Sequence, residues 1–66
     1  MTTQEQEKGA INKAFENAID GIYVNFIVLH AGSTNDQERD TAMATFKNRI
    51  LNARRMRDLA VSLLPA

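Results

Sequence analysis

Sixty-six residues, with no cysteine, a single histidine and eight acids balanced by eight bases, form one domain at most. That composition excludes disulfides and thiolate zinc sites and argues against general electrostatic attraction to nucleic acid. Below roughly 70–80 residues a lone hydrophobic core seldom supplies more than about 3–5 kcal/mol, which leaves association with other chains as the remaining source of stability. Absence of cysteine fits a reducing cytoplasm, the expected location.

The N-terminal MTTQEQEKGA is polar and acidic, which predicts no signal peptide, and residues 1 to about 6 are expected to fray. The first helix is predicted over about residues 5–31. On an ideal helix at about 100° per residue, Ile11, Phe15, Ala18, Ile19, Ile22, Phe26 and Leu29 share a sector about 100° wide. Residues 21–32, GIYVNFIVLHAG, are rich in β-branched and aromatic types, as a buried strand would be. The helical phase nevertheless continues through them, and no other segment offers a second strand. The apolar run Ile22 to Leu29, broken by Asn25, falls far short of the ~20 residues of a membrane span.

Gly32 is expected to end the first helix in the left-handed conformation, with a turn at 32–35. Thr34 with Gln37 matches a capping box, and Ser33, Asn35 and Asp36 are also competent caps. The second helix is predicted over about 36–64, stopped by Pro65. Met43, Phe46, Ile50 and Ala53 form its stripe, which drifts toward Met56, Ala60 and Leu63, with Leu59 and Leu64 flanking.

Two helices of roughly 25 residues joined by a short turn make an all-α antiparallel hairpin. A hairpin leaves its contact open on the outside, so a homodimer closing into a four-helix bundle is expected, with a tetramer or a hetero-partner as alternatives. The expected core or oligomer seam comprises Ile11, Phe15, Ile19, Ile22, Phe26, Leu29, Met43, Phe46, Ile50, Met56 and Leu63. Tyr23, Val24, Ile27 and Val28, on the far side of the first helix near the turn, form the candidate surface for another protein. Gly21, a mid-helix breaker, is read as a site of close helix approach.

Charge is placed unevenly. Residues 1–40 hold seven acids against Lys8, Lys13 and Arg39, whereas 41–66 hold Lys47, Arg49, Arg54, Arg55 and Arg57 against Asp58 alone. Lys47, Arg54, Arg55 and Arg57 are candidate phosphate contacts. Their competing role is ion pairing, within the hairpin or between subunits: folding back carries Glu16 and Asp20 toward Arg49 and Lys47, and Glu5 and Glu7 toward Arg54–Arg57. A compact helix-turn-helix domain needs about three helices. His30, near a helix C-terminus, suits the helix dipole better than catalysis. No Glu-x-x-His ligand spacing is present, and no acid falls inside an apolar stripe. Ser33 and Ser62 have no histidine that the sequence places beside them. The expectation is therefore no catalytic residue, metal or cofactor. The sequence points to a non-enzymatic interaction or regulatory module acting as a homo-oligomeric helical bundle. A small nucleic-acid-binding bundle is the alternative, and no membrane partner is expected.

Overall fold

The computed structural model describes residues 3–65. Helix α1 spans Gln4–Ala31 and helix α2 spans Asp36–Ser62. They pack side by side as an antiparallel hairpin, and no strand occurs among the described residues. α1 runs unbroken through the β-branched stretch. There Ile22 and Phe26 stay in phase with Phe15 and Ile19, and all four are half-buried. A strand would have had no partner for its backbone hydrogen bonds, so the helical phase prevails over residue propensity.

The helix starts are set by side-chain caps. Thr3 and Gln6 form a full capping box: the Gln6 backbone N–H donates to Thr3 Oγ1 at 3.2 Å, and the Thr3 N–H donates to Gln6 Oε1 at 2.8 Å. Two N–H groups that a helix start leaves open are thereby satisfied. Residues 4–6, within the stretch expected to fray, are helical; residues 1 and 2 lie outside the described residues. At α2 the cap falls one position later than the Thr34–Gln37 box. Asn35 is the N-cap, its Oδ1 accepting from the Glu38 N–H at 2.8 Å. The Glu38 carboxylate accepts in return from the Thr34 N–H, Thr34 Oγ1 and Asn35 Nδ2.

The helix ends also differ from expectation. Gly32 is right-handed, at φ −82° and ψ −2°. Glycine instead avoids a tight contact: an added Cβ would lie 3.2 Å from the Val28 carbonyl oxygen. α2 stops at Ser62, two residues before the predicted limit. The Leu63 N–H reaches back to the carbonyls of Leu59 and Ala60, at 3.1 and 3.2 Å. Ser62 Oγ donates to the Leu59 carbonyl at 2.6 Å. Leu64 precedes Pro65, whose ring disfavours helical geometry at the residue before it.

The helix pair is one layer deep. Its Cα extents are 52 × 16 × 8 Å, and its radius of gyration is 15.5 Å, against about 11 Å for a compact chain of this length. Three contacts set the antiparallel register. Phe26 meets Phe46 with ring centroids 4.8 Å apart, Asn25 Oδ1 accepts from Arg49 Nη1 at 2.6 Å, and the Arg57 guanidinium lies 4.4 Å from the Phe15 ring centroid. Only Ala42, 3% exposed, is buried among the described residues. Its small side chain lets the helices approach closely beside the turn.

Candidate interaction surface

The sequence-predicted seam separates into two groups. Ile11, Phe15, Ile19, Ile22, Phe26, Phe46 and Ile50 are half-buried along the contact between helices. Leu29, Met43, Met56 and Leu63 are exposed, Leu63 at 73%. On α2 the positions facing α1 are Ala42, Phe46, Ile50, Ala53, Arg57 and Ala60. Ala42 thus takes the place that periodicity suggested for Met43, and Arg57 the place suggested for Met56. A small side chain permits close approach. An arginine can lay its apolar stem along the contact while its charged head stacks on an aromatic ring. The displaced large apolar groups, Met43 and Met56, are left facing solvent.

Two grooves run along opposite sides of the layer. One is walled by Ala14, Ala18, Ala53, Met56 and Ala60. The other is walled by Phe15, Ile19, Phe46 and Ile50, with Arg54 and Arg57 at its α2 edge. A third opening beside the turn is edged by Ser33, Gln37, Glu38, Thr41 and Thr45 together with Leu29 and Ala42, and most of its lining surface is apolar. All three are open grooves rather than enclosed cavities.

The proposed partner-binding residues Tyr23, Val24, Ile27 and Val28 are all exposed, Val24 at 59% and Val28 at 64%. They do not form one compact patch. At about 100° per residue they spread over about 140° of the circumference of α1. Val28 falls toward the Ala14–Ala18 groove and Val24 on the back of the helix, while Ile27 and Tyr23 fall toward the opposite side.

Among the described residues, Glu16 and Asp20 do not pair across the hairpin with Arg49 and Lys47 as the sequence suggested. Arg49 donates to Asn25 rather than to Glu16 or Asp20. Arg57 stacks on Phe15, and its Nε donates to the neighbouring Asp58 at 3.1 Å. Arg39 pairs with Asp36 within one turn of α2. Glu16, Asp20, Lys47, Arg54 and Arg55 make no side-chain hydrogen bond or ion pair among the described residues. The antiparallel register explains part of this. With Phe15 opposite Arg57 and Asn25 opposite Arg49, neither acid lies level with Arg49. Of the four candidate phosphate contacts, Lys47, Arg54 and Arg55 point into solvent, whereas Arg57 is half-buried and engaged.

His30 is exposed, with its ring 5.5 Å from that of Phe26. No group of three or more possible metal ligands gathers among the described residues. No helix among them is long and apolar enough to cross a membrane.

Two contacts went unforeseen from sequence. Asn25 borders the apolar stripe of α1 and is half-buried, and a polar group there calls for a partner. That much was visible, but only the register identifies Arg49. The Arg57–Phe15 stack had no separate sequence signal. No protein-family model, curated protein or solved structure matches the chain.

Proposed function

We propose that this protein is a small non-enzymatic interaction or regulatory module that works as a homo-oligomeric helical bundle. The observation carrying this reading is surface area. The chain exposes 5147 Å², whereas a compact folded monomer of 7.4 kDa exposes about 4,200 Å². The excess, about 900 Å², matches the ~800 Å² that each partner contributes to a standard protein–protein interface. A domain also needs at least two packed layers around its core, and an 8 Å thickness of Cα positions is one. A second hairpin stacked on the first supplies both the missing layer and the cover.

Sedimentation equilibrium across a range of concentrations tests the reading. The expected result is a reversible dimer, or a higher closed oligomer, whose helix content falls as it dissociates. A compact, cooperatively melting monomer at nanomolar concentration overturns it. The residues offered to a further protein are Tyr23, Val24, Ile27 and Val28. Changing Val24→Asp together with Val28→Asp is expected to leave helix content intact while removing partner capture.

Nucleic-acid binding is the second reading, favoured by the unpaired, exposed Lys47, Arg54 and Arg55. It requires gel retardation of RNA or duplex DNA that weakens steeply with salt, because phosphate contacts release counterions. No retardation at low salt removes it.

A further inference from the structure

We infer that the bundle is a two-fold dimer in which both turns lie at the same end and α1 of each copy stacks over α2 of the other. The face that closes is the one bearing Phe15, Ile19, Phe46 and Ile50; Tyr23 and Ile27 border it on α1, which leaves Val24 and Val28 for a further protein. This inference rests on the homo-oligomeric reading above and specifies its geometry.

The observation is where unpaired charge sits on that face. Arg54 stands at the α2 edge of the groove between Ile19 and Ile50. Three residues from Arg57, it is level with the turn of α1 that follows Phe15, which holds Glu16 and Asp20. Glu16 is three residues from Ile19 and so shares its side of the helix. Acid and base thus occupy one level of one face on different helices, and neither finds a partner among the described residues.

A two-fold axis along the hairpin keeps levels and exchanges helices. Glu16 and Asp20 of each copy then overlie Arg54 of the other, and the pairing occurs twice, as an isologous interface requires. The other face-to-face arrangement has its axis across the hairpin and places each helix on its own counterpart. There Arg54 lies over the partner's α2, while Glu16 and Asp20 lie over its α1, so the match of opposite charges is lost. Opposite charges brought together favour one mode of association over another that keeps them apart. Self-complementarity also identifies the occupant as a second copy: one surface supplies both halves of the match. Beneath the charges, Phe15, Ile19, Phe46 and Ile50 provide the apolar floor that a bundle core requires.

Spin labels provide the test. The chain has no native cysteine, and Thr34 is exposed in the turn without being the N-cap. Thr34→Cys labelling of the full chain therefore reports the distance between the two turns. Same-end stacking of layers about 10 Å apart gives a distance below about 25 Å. Opposite-end stacking gives a distance near the 52 Å length of the hairpin. Arg54→Glu is expected to weaken dimerisation about tenfold or more, and adding Glu16→Arg with Asp20→Arg is expected to restore it. A dimer with the long distance overturns the same-end arrangement while leaving the homo-oligomeric reading intact. A short distance with dimerisation indifferent to Arg54→Glu overturns the choice of face. Absence of any dipolar coupling in a sample that sediments as a monomer overturns the homo-oligomeric reading, and this inference with it.

Discussion

Gly21 offers a sharp quantitative test of which side of the hairpin is free. A glycine inside a helix costs about 0.8–1.0 kcal/mol relative to alanine, through backbone entropy in the unfolded chain. Its retention is expected where a neighbouring helix leaves no room for a methyl group. A Cβ built at Gly21 meets nothing within 4 Å. The close packing anticipated for this glycine is therefore not made within the chain. Gly21 lies on the Ala14 side of α1, away from the face assigned above to the dimer. Gly21→Ala should then stabilise the protein by about 1 kcal/mol, raising Tm by about 4–8 °C for a chain of this size. Gly9, equally open and exposed, should behave alike. Gly32→Ala is the internal control: its Cβ would crowd the Val28 carbonyl oxygen at 3.2 Å, so no gain is expected. Thermal denaturation followed by circular dichroism at fixed protein concentration measures all three. A fall in Tm for Gly21→Ala, with weaker association, would mean that another chain covers this side, and the face assignment would be refuted.

Other consequences follow from individual contacts. Asn35→Ala removes the cap of α2 and should cost about 1 kcal/mol, read as a lower Tm with early loss of helicity near the turn. Phe26→Ala deletes one ring of the Phe26–Phe46 pair. The site is only half-buried, so the loss should be about 2 kcal/mol rather than the 3–5 of an enclosed phenylalanine, measured by urea unfolding; a loss below about 0.5 kcal/mol would show that the rings do not hold the helices together. A double-mutant cycle on Asn25→Ala and Arg49→Ala should return a coupling of about 0.5–1.5 kcal/mol. Zero coupling would show that this bridge does not set the register.

The fold was legible in the sequence because a helical hairpin is written in local terms. An apolar stripe in unbroken phase, a cluster of cap residues and a short turn specify two antiparallel helices before any long-range contact is considered. The same signals carried α1 through a stretch with the composition of a strand. Caps were visible only as a set of competitors. Thr34 and Asn35 were both competent, and the choice of Asn35 depended on where Glu38 could return its hydrogen bonds. The Thr3–Gln6 box is written in the sequence as Thr-x-x-Gln, at a chain end where fraying competes with capping.

Which residues face inward on α2 was decided only in three dimensions. Hydrophobicity favours Met43 and Met56 for the contact with α1, but interhelix distance favours Ala42, and the Phe15 ring favours the stem and guanidinium of Arg57. Pairing of charges is likewise tertiary. Opposite signs on the two helices promised ion pairs, yet the register brings Asn25 rather than an acid to Arg49 and leaves Glu16, Asp20 and Arg54 without partners among the described residues. Periodicity determines that a face exists, because it depends on neighbours three and four residues away. What that face meets depends on register and separation between helices, which local sequence does not encode.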